Sequence, residues 1–181
     1  LDQLLSEGIL KGMARPELAQ ACLAAFMIVA IGWIVYSSTA TSPFLLGDQD
    51  TIVNNSDMHQ LATTSLDWND QIRPISAMSF ALNWSFGDGT PYFFQVSQIL
   101  IHLLNALLVF LLCRRVVPDA RSQAVPLIAG LLFAVHPLAA YAVNTLTERD
   151  ILLATFFMLS SLVLFLKAAE SDQVNWFRII G

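Results

Sequence analysis

The stretch YFFQVSQILIHLLNALLVFLLC, from Tyr92 to Cys113, decides the fold. It carries no charged residue, and a bilayer core takes about 20 mostly apolar residues of helix. Its larger polar residues, Gln95, Gln98, His102 and Asn105, are spaced 3, 4 and 3 apart. On a helix that spacing puts them on one face. Polar groups in hydrocarbon are costly and turn toward a bundle interior or a cavity. One such span therefore implies partner helices.

Working outward, three more blocks meet the same test: about Leu18 to Ser37, Ala124 to Val143 and Ile151 to Ala168. None has a Lys or Arg at its centre. The fold expected is an all-α integral membrane protein with about four transmembrane helices. The composition agrees: 56% of the 181 residues are hydrophobic and 13% charged, with a mean hydropathy of +0.62. Soluble domains run at about 45–50% apolar and about 25% charged. Two Cys exclude a disulfide-dense scaffold. A net charge of -5 argues against a nucleic-acid partner. The first block is too long for a signal peptide and follows a charged segment, and a chain beginning at Leu1 is expected to have its true start upstream.

Basic residues set the expected orientation. Lys11, Arg15, Arg114, Arg115, Arg121, Lys167 and Arg178 fall on one side of the spans, and only Arg73 and Arg149 on the other. The first side is expected to be cytoplasmic, with both termini there and the long loop periplasmic or lumenal. This gives a cytoplasmic segment 1–17, a transmembrane region 18–168 with an outer loop 38–91, and a cytoplasmic tail 169–181 whose Trp176, Phe177 and Arg178 suit the interface. Outside, two basic residues face eight acidic ones, six of them in the long loop: Asp48, Asp50, Asp57, Asp67, Asp70 and Asp88.

That loop is patterned. Pro43 and Gly47 break the chain before Asp48-Gln49-Asp50. Asp48 and Asp50 form a candidate general-base pair or divalent-cation site. Arg73-Pro74 then opens a helical pattern, Pro suiting the first turn. Ile75, Met78, Leu82 and Phe86 form an apolar stripe, with Ser76, Ser79 and Asn83 between them, ending at Gly87-Asp88-Gly89. The reading is a short amphipathic helix at the outer interface. Arg73 is either a phosphate clamp or an interfacial Arg paired with a carboxylate.

Within the spans, Gln98, His102 and Asn105 either line a cavity or bond neighbouring helices. Pro137 should kink or end the third span, leaving His136 where the helix opens. Glu148-Arg149-Asp150 forms the last outer turn, where Arg149 is expected either to pair with its neighbours or to join Arg73, His136 and Glu148 around a substrate.

The order of these pieces carries a resemblance. Gly47-Asp48, Ile52 with Asn55, Arg73-Pro74, Phe80 to Asn83, His102, Leu131 to Pro137 (LLFAVHP) and Arg149 with Leu152-Leu153 follow one another. This resembles the N-terminal membrane region of the transmembrane and tetratricopeptide-repeat O-mannosyltransferase family and its bacterial relatives, in the GT-C superfamily. The resemblance spans about Pro43 to Lys167. It implies a loop carboxylate acting as base toward an acceptor hydroxyl, Asp48 or Asp50 here. It implies a polyprenyl-phosphate sugar as donor, bound through Arg73, His136 and Arg149, and Glu148 converges on the same outer side as a further candidate substrate-binding residue. Three acidic positions depart from the family pattern: Gly47, Tyr141 and Ile151 stand where it has carboxylates. Asp50 and Asp150 are offset by a residue or two, and about 1 Å of misplacement costs roughly 100-fold in rate.

The reading that follows is a GT-C-like membrane protein with a weakened or lost active site. One alternative is a non-catalytic membrane subunit or scaffold among other membrane proteins. A second is a pigment- or haem-binding subunit using His102 or His136. The partners expected are the lipid bilayer, a lipid-phosphate sugar and other membrane subunits.

Overall fold

The computed structural model describes residues 2–55, 59, 73–117 and 123–170. The expectations for Asp57, Asp67, Asp70 and the tail beyond 170 lie outside the described residues. Among the described residues all regular structure is helical. The elements are α1 (Asp2–Tyr36), a single turn α2 (Leu46–Asp48) continued by a wide turn over Gln49–Val53, α3 (Pro74–Gly87), α4 (Pro91–Val116), α5 (Ala124–Val135), α6 (Pro137–Asn144) and α7 (Arg149–Glu170). A 3-10 turn, Leu146–Glu148, leads into α7.

Glu17–Tyr36, Pro91–Val116 and Leu146–Ala169 are each long and apolar enough to cross a membrane. The third predicted span is a broken one: α5 and α6 meet at 51°. Pro137 is the physical cause, since its ring removes a helical N–H and it sits at the first position of the new helix. The imidazole of His136 caps that helix, Nδ1 accepting from the Leu138 N–H at 3.2 Å.

The quoted stretch, α4, is the axis of the bundle. It packs on α1 and α5 along one flank and on α7 and α3 along another. In lipid, helices associate through close van der Waals contact rather than by escaping water, so small residues collect where they cross. Gly130 of α5 is such a point. A Cβ there would lie 2.6 Å from Ile28 Cδ1 and 3.3 Å from the Ala106 carbonyl oxygen. Ala21, Ala24, Ile28, Ala106, Phe110 and Ala134 form the core around it.

The polar stripe of α4 stitches the bundle. Gln98 Nε2 donates to the Ala142 and Thr145 carbonyls at 2.7 and 3.2 Å. His102 Nε2 meets the Ala134 carbonyl at 3.0 Å. Asn105 Nδ2 donates to the Leu152 carbonyl at 2.9 Å. Helix ends make three of these bonds possible, because α5 stopping at Val135 and α6 at Asn144 leave the Ala134, Ala142 and Thr145 carbonyls without i+4 partners; Leu152 lies within α7.

The stripe predicted on α3 points away from the protein. Ile75, Met78, Leu82 and Phe86 are all exposed, while Ser76, Ala77, Phe80 and Ala81 are buried against the bundle. Asp88 ends the helix in the left-handed conformation (φ 46°), its N–H donating to the Trp84 carbonyl at 2.9 Å.

Candidate functional site

The candidate site gathers where α2, α3, the start of α4 and the start of α7 meet. Its centre is Arg149, which is fully buried. As the first residue of α7 after the 3-10 turn, it is directed inward between α3 and α4. A guanidinium carries five N–H donors, and each has an acceptor within reach. Nε donates to Gln98 Oε1 at 2.9 Å. Nη1 donates to Ser79 Oγ and Asn83 Oδ1. Nη2 donates to the Phe94 carbonyl and to Ser97 Oγ, both at 2.9 Å. The Phe80 ring lies 4.2 Å from the guanidinium carbon, within cation–π range.

This corrects the expectation that Arg149 pairs with its neighbours at a surface turn. Asp150 pairs with Arg73 instead, at 3.0 Å, and Glu148 accepts from the Tyr141 hydroxyl at 3.3 Å. With five donors engaged, Arg149 has no N–H left for a phosphate in this arrangement. Arg73 remains more than half exposed beside its carboxylate partner. It borders a 230 Å³ groove walled by Pro74, Ile75, Leu153, Ala154 and Phe157.

Asp48 and Asp50 do not act as a pair. Both lie in helical turns, and residues i and i+2 of a helix point to different sides. Asp48 is fully buried. Its Oδ2 accepts from the Leu45 N–H at 2.9 Å, its Oδ1 has no partner, and its negative charge acts on Arg149. Asp50 is exposed and accepts from Asn54 Nδ2 at 3.2 Å. Among the described residues, no three His, Cys, Asp or Glu side chains gather to hold a metal ion.

Of the three residues expected to line a cavity, the structure brings only His102 to one of the described grooves. Gln98 and Asn105 are spent on helix carbonyls and line none of the described cavities, whereas His102 borders a 460 Å³ groove together with His136. His136 is exposed and engaged in capping α6, away from the Arg149 cluster. The two histidines offered for a pigment or haem thus each have one ring nitrogen engaged by the backbone.

Sequence reasoning missed the partners of Arg149: Ser79, Asn83, Ser97 and the Phe94 carbonyl. A signal was present. Ser76, Ser79 and Asn83 repeat the 3 and 4 spacing of the α4 stripe. Two facing polar stripes with one cation nearby describe a buried cluster.

No family model and no solved structure matches the chain. Curated proteins do. Protein O-mannosyl-transferase TMTC3 of Mus musculus is 26% identical over 169 residues, 85% of this chain and 18% of that protein. Protein O-mannosyl-transferase tmtc2 of Xenopus laevis is 30% identical over 77% of this chain and 18% of its own length. Protein O-mannosyl-transferase Tmtc1 of Drosophila melanogaster is 31% identical over 66% of this chain and 15% of its own length. The chain spans about a fifth of the length of the curated relatives it matches. Across most of its own length, this multi-helix membrane chain is linked at the family level to the TMTC protein O-mannosyl-transferases.

Proposed function

We propose that the chain is a glycosyl-transfer membrane module of the GT-C kind. In this reading its acidic positions have been turned to structural use, so sugar transfer is weak or absent. The observation that carries the reading is the state of the carboxylates. Asp48 is buried and tied to the Leu45 N–H, Asp50 is held by Asn54, and Asp150 is held by Arg73. A general base must reach the hydroxyl it deprotonates, within about 3 Å or through one water. The expected anion clamp at Arg149 is likewise saturated by protein acceptors.

The donor implied by the family link is a polyprenyl-phosphate mannose. Arg73, at the mouth of an apolar groove between α3 and α7, is the cation left for its phosphate. Exchanging Asp150 for a phosphate would keep that guanidinium paired. The excess of Lys and Arg on the opposite side supports a cytoplasmic location for both ends of the chain, with this site on the far face. A membrane subunit that keeps the fold without transfer is the limit of the same reading.

The test is transfer of mannose from a polyprenyl-phosphate donor to a hydroxyl-bearing peptide, with mouse TMTC3 assayed alongside. The expected rate is lower by about 100-fold or more, the scale of a misplaced base, with any residual turnover lost in Asp48→Asn. Turnover equal to the relative's and insensitive to both Asp48→Asn and Asp50→Asn would overturn the reading.

A further inference from the structure

A second groove, of 260 Å³, lies between α1 and α4, at the far end of α4 from the Arg149 cluster. From α1 it takes Leu18, Ala21, Cys22 and Ala25, and from α4 Leu107, Phe110, Leu111 and Arg114. Both sets follow the i, i+3, i+4, i+7 spacing of a single helical face. Three of the α1 residues are small, so their side chains stop short of filling the space between the helices. Ala21 and Phe110 are buried, while Leu18 (66%) and Leu111 (39%) remain exposed beside them. Both helices are long and apolar enough to cross a membrane. From Leu107 to Arg114 the helix rises about 10 Å, which fits within one leaflet's half of a roughly 30 Å hydrocarbon core.

Arg114 supplies the second observation. It is the single charged residue of the lining, and its guanidinium carbon lies 5.7 Å from the centre of the Phe110 ring. Its Nε is buried and has no hydrogen-bond partner. Among the described residues no carboxylate pairs with Arg114; the carboxylate-bound cation there is Arg73. A donor left unpaired away from water is costly, and a phosphate can satisfy Nε and an Nη together through the planar fork. Arg115 follows in the same last turn of α4, and adjacent basic residues at a span's end attract anionic lipid. An apolar helix laid in the same groove would leave the Arg114 charge without a counterion.

We propose that this groove binds an anionic phospholipid, with an acyl chain against Ala21, Ala25 and Phe110 and the phosphate held by Arg114. Net negative charge is part of the assignment. Phosphatidylcholine offers the same phosphate, but its own cation offsets the attraction of Arg114 and Arg115.

The experiment places the full chain in phosphatidylcholine nanodiscs with one of two probes at equal mole fraction. The probes are phosphatidylglycerol and phosphatidylcholine carrying the same photoreactive acyl chain, and the labelled peptides are mapped. The label is expected within 18–25 and 107–114, with about tenfold or more from the phosphatidylglycerol probe, the scale of one charge-assisted hydrogen bond. Arg114→Gln should bring the two probes to within about twofold of each other, and Ala25→Phe should fill the groove and cut labelling by both. A thermal melt checks that each variant folds; where one does not, the two-probe comparison on the unaltered chain decides alone. Equal labelling by the two probes, a preference that survives Arg114→Gln, label spread evenly over all lipid-facing helices, or no label because other helices cover the groove would each overturn the proposal.

Discussion

Replacing Arg149 by Met keeps the length of the side chain and removes its charge and donors. Gln98 Oε1, Asn83 Oδ1, the Phe94 carbonyl and the Ser79 and Ser97 hydroxyls then lose their donor. The buried Asp48 carboxylate loses a nearby positive charge, and Phe80 loses its cation. Hydrogen bonds to a charged group contribute about 1.5–3 kcal/mol each, but they are not additive once the cost of burying the ion is counted. Leaving buried acceptors unsatisfied costs about 1–3 kcal/mol each, and with partial relaxation of the cluster the total is about 3–5 kcal/mol. For a chain of this size each kcal/mol moves the melting temperature by about 2–4 °C, so Arg149→Met is expected to lower it by about 6–20 °C. Arg149→Lys keeps the charge with three donors in place of a planar fork, and is expected to cost about half as much. Adding Asp48→Asn to Arg149→Met should recover about 1 kcal/mol or more, the coupling of two groups in one network. The assay is thermal unfolding in detergent followed by tryptophan fluorescence. An Arg149→Met melt within about 2 °C of the unaltered chain would refute the reasoning, because it would mean the cluster carries no net stability.

Other substitutions probe separate links. Gly130→Val places methyl groups against Ile28 and the Ala106 carbonyl and is expected to cost about 1–3 kcal/mol by forcing α1, α4 and α5 apart; the same melt reads it. Asp88→Gly relieves a left-handed residue at φ 46° and should raise stability by up to about 1 kcal/mol. Arg73→Gln removes a partly exposed ion pair; the expected change is below about 1 kcal/mol and fades in high salt, so a loss that persists at 1 M salt would count against a surface pair.

Residues that obey a single period were legible. The α4 block reads as a span because length and apolarity suffice, and α3 emerges from its stripe and Pro74. Pro137 marks its own break, and the 3-4-3 spacing of Gln95, Gln98, His102 and Asn105 foretells their shared face. Their partners were not legible, because a backbone carbonyl on a neighbouring helix has no sequence signature of its own. Arg149 shows the limit most clearly. In the sequence it stands between Glu148 and Asp150, and local reasoning pairs it with them. The fold turns it inward because Ser79, Asn83, Ser97 and Gln98, distant along the chain, supply acceptors together. Asp48 and Asp50 look like a pair in one dimension, yet the helical turn sends one inside and the other out.

Gly47, where the proposed reading expects a carboxylate, offers the most direct test of the central claim. Gly47 is exposed, and a Cβ there would meet only Thr147 Cγ2, at 3.9 Å, so an Asp fits without displacing the turn. The decisive measurement is mannose transfer from a polyprenyl-phosphate donor by the unaltered chain and by Gly47→Asp. Slow or absent transfer that Gly47→Asp raises by about tenfold or more is the predicted result, since a correctly positioned carboxylate contributes about 100-fold or more to such steps. Transfer by the unaltered chain at the rate of its curated relatives, left unchanged by Gly47→Asp, would contradict it.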